Sequence, residues 1–125
     1  MPYLTNEPQQ SGMIQDENGN ALTVLRAFAD PAGSGDNQVV AAVAGKIIRV
    51  LAATLMNNVA TAQNARFRSA TNSISALIGL GAVANGIFYY EYCVHGWFQT
   101  NVGEALNINL SAATAVGVDV VYVLV

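Results

Sequence analysis

Charge is scarce in this chain, and cysteine scarcer. Charged side chains make up 10 % of its 125 residues, against roughly 25 % in an ordinary soluble domain. Five Lys and Arg against eight Asp and Glu give a net charge of −3. Five scattered cations cannot form the phosphate-neutralising stripe that nucleic acid requires, so no nucleic-acid partner is expected. One cysteine, Cys93, cannot close an internal disulfide and leaves no Cys-x-x-Cys pair for zinc or redox chemistry. A long uncharged apolar run is missing too. The longest, Val39 to Met56, carries Lys46 and Arg49 near its middle, each costing about 3 kcal/mol in a spanning helix, so no membrane span is expected. The N-terminal MPYLTNEPQQSG has neither a basic n-region nor an apolar h-region, and a secretory signal is not expected.

Apolar residues are abundant instead, at 53 %. A chain of this length buries roughly two thirds of its unfolded surface, enough for one domain with a core that needs no staples. There is also ample apolar surface to offset ordering entropy, which excludes a wholly disordered chain. With so little charge to cover the exterior, part of the surface is expected to lie against other subunits.

Residues 1–20 are polar and turn-rich and read as an N-terminal arm; residues 21–125 read as a single domain. Leu22–Ala29 alternates like a strand, and Asp30–Asn37 (DPAGSGDN) is a loop. Val39–Met56 fits a helix by its alanines, but its Val, Ile and Thr content, Gly45 and apolar residues on every face favour two strands, Gln38–Val43 and Lys46–Met56, closed by an Asn57-Asn58 turn. Gln63–Ser69 sets Ala65 and Phe67 against Arg66 and Arg68. Ile74–Leu80 puts Ile74, Ala76, Ile78 and Leu80 on one face. An Ala84-Asn85-Gly86 turn leads into Ile87–Tyr92, and Trp97–Thr100 is a short strand. Glu104–Ser111 turns Leu106, Ile108 and Leu110 inward and Asn107 and Asn109 outward, and Val118–Val125 closes the chain. Roughly seven to nine strands at this spacing predict an all-β fold: an antiparallel β-sandwich, in particular a jelly roll.

Chemistry-bearing groups are few. His95, the single histidine, stands two residues from Cys93, which invites a nucleophile and base pair. The preferred reading is plainer: His95 in a turn beside Gly96, and Cys93 packing as a small hydrophobe. Glu91, His95, Glu104 and Asp119 match no metal-ligand spacing, DPAGSGD lacks the alternating ligands of a calcium loop, and neither glycine-rich segment has the setting of a phosphate loop. No catalytic residue, cofactor or metal is expected, and the chain is not expected to be an enzyme. Two features point to binding. Phe88, Tyr89, Tyr90, Tyr92, Trp97 and Phe98 form an aromatic group in which one row packs inward and the other serves an interface, or a carbohydrate or peptide platform. Val118–Val125 is apolar on both faces, so the strand is either central in a sheet or sealed by a neighbouring subunit.

From about Gln38 to Val125 the chain resembles a family of small virion proteins of tailed bacteriophages. The resemblance is carried by AAVAGKIIRVLAATL (Ala41–Leu55), ANGIFYY (Ala84–Tyr90), GWFQTNVGEALNINLSAATAVG (Gly96–Gly117) and VVYVLV (Val120–Val125); residues 1–37 fall outside it. It implies a capsid decoration (cement) protein, a jelly-roll domain that clamps the outside of the head shell as a homotrimer, with the major capsid protein as its partner. On that expectation the arm, with Tyr3 and Leu4, orders on the shell. Tyr89, Tyr92, Trp97, Val121, Val123 and Val125 supply interface, the valines knitting the trimer. A rival reading is a tail or fibre module that binds a receptor or carbohydrate through Tyr89, Tyr92 or Trp97.

Overall fold

The computed structural model describes residues 14–125. Over these residues the chain is all β, with ten strands in two antiparallel five-stranded sheets packed face to face. The strands are β1 (Leu25–Ala29), β2 (Gly35–Val40), β3 (Ile48–Asn57), β4 (Gln63–Ser69), β5 (Asn72–Ser73), β6 (Ile78–Gly81), β7 (Gly86–Tyr90), β8 (Phe98–Gln99), β9 (Leu106–Leu110) and β10 (Val116–Leu124). The first sheet runs β1-β10-β3-β7, with β8 also on β3; the second runs β2-β9-β4-β5, with β6 also on β4. The fold is the expected β-sandwich, and strands win over helix from Val39 to Met56.

Several boundaries differ from the expectation, each for a local reason. Strand β2 stops at Val40 because a turn closed by Lys46 N–H on the Val43 carbonyl, with Gly45 at φ +75°, takes the chain out of the sheet. Ile74–Leu80 is not one strand: the Ser75 hydroxyl accepts the Phe67 N–H at 2.8 Å, replacing a ladder bond, and Ala76 is exposed. Strand β7 ends at Tyr90, so Tyr92 lies in the connection that follows.

Between the sheets lies the main core, with Phe67, Leu55, Leu106, Ile108 and Val120 all fully buried. Strand β10 is central, between β1 and β3. Its even positions from Val116 to Val120 are buried in this core, and Tyr122 and Leu124 pack against it. Its odd positions from Val121 onward meet a second, smaller core on the outer side of the first sheet, where Ile14, Leu51 and Val123 are buried and Leu22, Val94, Val121 and Val125 pack on them. Of the expected interface valines, Val123 is covered within the chain itself and Val121 and Val125 are covered in part. Val123 is 0 % exposed, so it offers no surface to another subunit while this cover stays in place.

That cover is the segment Ile14–Leu22, the end of the expected polar arm; Tyr3 and Leu4 lie outside the described residues. A bridge between Gln15 and Ala21 folds the segment back, with Leu22 N–H bonded to the Ile14 carbonyl at 2.7 Å. Asp16 organises the turn. Its carboxylate accepts the Asn18 and Asn20 N–H groups and the Asn20 side-chain amide. Those bonds, the Asn20 N–H first, hold its pKa below the ordinary 3.8. A lowered carboxylate pKa means stability fully present above the ordinary value and lost as pH falls through the lowered one. Amide exchange at Asn20 and Leu22, corrected for intrinsic rates, is therefore expected to accelerate severalfold below about pH 3.8. The Asp16→Ala variant should show fast exchange at all pH values, and an unchanged acid profile in that variant would remove Asp16 from the account.

One irregularity sets the geometry of this end of the sandwich. The β3–β10 register slips between Val121↔Ala52 and Tyr122↔Val50, leaving Leu51 as an extra residue in β3. A bulge of this kind adds one residue to one strand and re-aims its side chains. Here it turns Leu51 outward into the second core. At the same place β3 exchanges its neighbour: it pairs with β7 up to Ala53↔Tyr90 and with β8 from Val50↔Phe98. A Cys93–Gly96 turn spans the gap, tied by Cys93 N–H to the Leu51 carbonyl and Trp97 N–H to the Val50 carbonyl. Gly96 is required there. Its φ is +81°, and a Cβ would stand 2.6 Å from Arg49 Cγ and 3.3 Å from the Val50 carbonyl oxygen.

Candidate functional site

The two outer faces of the sandwich differ in chemistry. On the second sheet, cross-strand rows read Asp36–Asn109–Arg66 and Gln38–Asn107–Arg68–Ser73. These side chains bond one another, although Arg68 Nε is buried without a partner: Arg68 pairs with Asp36 at 3.4 Å, Asn109 donates to Asp36 at 2.8 Å, and Arg66 donates to Ser73. This is a solvated polar surface. Two of the five cations stand on it, already engaged.

The first sheet is different beyond the reach of the Ile14–Leu22 cover. Its rows read Phe28–Asp119–Thr54–Tyr89 and Gly117–Met56–Ile87. Phe28 is 79 % exposed, Tyr89 59 % and Ile87 57 %. Large apolar side chains left this open in a group mark an interaction surface more often than they mark chance. The alternation that buries Ala53 and Leu55 of β3 inward forces Tyr89 and Ile87 outward, so the exposure follows from the register and not from a loose loop.

The remaining aromatics form the β7 edge. Tyr90 points to the core side and packs on Phe98 (5.5 Å between ring centres), Trp97 (5.1 Å) and Phe88 (5.0 Å, edge-on). Burial pushes the Tyr90 hydroxyl above its ordinary pKa of 10, opposed by a hydrogen bond with Ser75. Trp97 is half exposed and donates its indole N–H to the Glu91 carbonyl at 2.6 Å. Tyr92 is 55 % exposed in the connection after the strand. The aromatic group divides into packed and exposed members, but not by the expected strand rows, since Tyr92 lies beyond β7 and is nearly as open as Tyr89. Tyr89 faces away from the Tyr90 and Trp97 side, so these rings do not make a single stacking platform.

No family model matches the chain, and no curated protein is similar enough to it to count as a relative.

A groove opens on the first sheet's outer face between Phe28 of β1 and Met56 of β3. Its volume is about 380 Å³, with Asp30, Thr54, Asn58 and Asp119 contributing polar groups to its walls. The floor is Gly117. A Cβ there would sit 3.6 Å from Asn58 Nδ2, 3.8 Å from Asp30 Oδ1 and 4.0 Å from Met56 Cβ. A donor and an acceptor thus converge above a bare backbone position. Neither the Asp30 carboxylate nor the Asn58 amide is hydrogen-bonded to a described side chain or backbone group. Asp119 is held by Arg26, whose guanidinium reaches both carboxylate oxygens at 3.2 and 3.0 Å. No motif in the sequence marks this groove. Its walls come from three strands far apart in the chain, and the trace in the sequence is three short same-face runs: Phe28-x-Asp30, Thr54-x-Met56-x-Asn58 and Gly117-x-Asp119.

Cys93 and His95 occupy the turn described above, Cys93 half-buried and His95 exposed, so they do not share a strand face. Among the described residues no three or more His, Cys, Asp or Glu side chains converge to hold a metal ion. Asp30 and Asp36 of the DPAGSGDN loop part company, one at the groove and the other on the opposite sheet. No helix among the described residues is long and apolar enough to cross a membrane.

Proposed function

We propose that this chain is a structural virion protein: a decoration subunit that binds the outer surface of a bacteriophage head, as a homotrimer, and stabilises the shell. The observation that carries the proposal is the exposed apolar edge formed by Ile87, Tyr89, Tyr92 and Trp97, each half exposed or more. Strand β7 ends the first sheet, so one side of its backbone is open to pair with another chain. The resemblance read from the sequence of residues 38–125 points the same way. So does the topology: successive strands β1 to β4 alternate between the two sheets and the first strand pairs with the last, as a jelly roll would.

On this reading the mechanism is mass action. A subunit that binds only the expanded shell stabilises that state in proportion to its occupancy. A trimer that bridges several capsid subunits gains further, because each later contact forms at high effective concentration.

The test is light-scattering mass followed by co-sedimentation with heads that lack the protein. The expected mass is three times the 13.1 kDa of the chain, with saturable binding to expanded heads and protection of those heads against heat. The paired Tyr89→Ala and Tyr92→Ala variant, folded as the parent, should bind heads at least about 30-fold more weakly, the size expected for a buried aromatic anchor. A monomer that ignores heads, or a variant that binds as the parent does, overturns the proposal.

A further inference from the structure

We infer that the groove over Gly117 is a binding site for an uncharged saccharide, specifically a hexose unit of a neutral oligosaccharide. Sugars are amphiphilic by face: the ring presents patches of C–H to one side and hydroxyls around its rim. A site for them therefore combines an exposed aromatic or thioether wall with polar groups able both to donate and to accept.

The groove has these parts at fixed places. Phe28, 79 % exposed, stands at one side and Met56 at the other. Asp30 and Asn58 bring a carboxylate and an amide to within 4 Å of a common point above the Gly117 backbone. A carboxylate accepts from two neighbouring hydroxyls at once, while the amide donates to a hydroxyl or ring oxygen, so together they read a vicinal pair. Asp119, oriented by Arg26, and the Thr54 hydroxyl continue the polar line. The volume of about 380 Å³ suits one or two sugar rings. The Asp30 carboxylate, with no described cation beside it, disfavours an anionic sugar, whereas Arg26 offsets Asp119, so the ligand is assigned as neutral. The groove is open on the surface, so an internal unit of a longer chain can enter as readily as a terminal one.

The site adjoins the edge proposed to dock on the head at Thr54 and Met56, which pair with Tyr89 and Ile87, and extends away from it toward Phe28. Phe28 and Tyr89 stand in one cross-strand row with two strands between them, about 14 Å apart.

The experiment is a chemical-shift titration of the isotope-labelled full-length protein with glucose, galactose, N-acetylglucosamine, their neutral disaccharides and galacturonic acid. The upper concentration is about 10 mM, ten times the dissociation constant of a weak ~1 mM site. Saturable shifts are expected at Phe28, Asn58 and Gly117 with at least one neutral sugar, and none with galacturonic acid. Disaccharides that bind more tightly than their monosaccharides identify an oligosaccharide as the ligand. Asp30→Asn and Phe28→Ala should each weaken binding at least tenfold. Gly117→Val should abolish it by filling the floor, in a position whose backbone accepts a side chain and where a Cβ meets nothing closer than 3.6 Å. All three sites lie at the surface, and unchanged melting temperatures show that the fold is kept. No shift with any neutral sugar, or shifts confined to Tyr92 and Trp97, overturns the inference. Head co-sedimentation of Gly117→Val is expected to equal that of the parent, which separates a failure of this site from a failure of the decoration reading.

Discussion

Replacing Phe67 by alanine is expected to destabilise the protein by about 3–5 kcal/mol, the largest effect of any single truncation proposed for this chain. Phe67 is fully buried on β4, opposite Ile108 of β9. Its ring lies 5.0 Å from that of Phe98 on the other sheet, and Phe98 in turn meets Tyr90. The side chain is thus the inward end of an aromatic series that crosses the sandwich and finishes at Trp97 on the β7 edge. Truncation removes the transfer free energy of the ring and leaves a cavity that two hydrogen-bonded sheets cannot collapse to fill. At about 4 °C per kcal/mol for a domain of this size, the melting temperature should fall by roughly 12–20 °C. Phe67→Leu, which keeps most of the volume, should lose about 1–2 kcal/mol. Urea unfolding of the three proteins decides the matter. An alanine variant within 1 kcal/mol of the parent would mean that the aromatic series does not hold the sheets together.

Replacing Gln63 by leucine is expected to lose about 3 kcal/mol although the side chain is nearly conserved in volume. Gln63 is 1 % exposed at the start of β4. Its Nε2 donates to the Ala112 carbonyl at 2.9 Å and to the Thr114 hydroxyl at 3.0 Å. Its Oε1 accepts from the Ser111 hydroxyl and the Ala112 N–H, both at 3.0 Å. One amide therefore satisfies the turn that joins β9 to β10. Leucine fills the same space and leaves the Ala112 N–H and C=O facing an apolar group, at about 1–3 kcal/mol for each buried group without a partner. Thr114→Val, which removes one bond of the set, should lose only about 1 kcal/mol. The distinguishing readout is local: amide exchange across 111–115 should rise in Gln63→Leu more than across β3. A uniform rise, or a stability loss equal to that of Thr114→Val, would sink the assignment.

The two residues also show where the sequence was readable. Phe67 sits in a run whose alternation with Arg66 and Arg68 is unambiguous, and its inward position was expected. So were those of Leu106, Ile108 and Leu110, and the two-faced apolar character of Val118–Val125. Period-two alternation is a local property, and it survives wherever a strand is regular. Gln63 is polar at a strand end, and nothing local separates a buried amide that ties a turn from an exposed one. The same holds for Asn57, read as part of an open turn but fully buried, with its amide donating to the Thr61 and Gly81 carbonyls. That Val123 is covered by Ile14 is not legible locally, because Ile14 lies in a polar segment over a hundred residues away; the strand's two apolar faces pointed only to a central place in a sheet or a neighbouring subunit. The groove was invisible for a related reason: its walls are cross-strand neighbours, and register is a property of pairs of strands that no single stretch encodes.

Leu51 has a meaning that reaches past its own contacts. Struck out of the chain, it would leave every inward residue of β3 inward: Ile48, Val50, Ala53 and Leu55 would simply alternate. The sandwich does not need this surplus residue. The Ile14–Leu22 segment does, because Leu51 is one of the two buried side chains it rests on. Cover and sandwich are therefore separable in the arithmetic of the strand, the first an accessory and the second whole without it, and a single supernumerary position in β3 is where the one is fastened to the other.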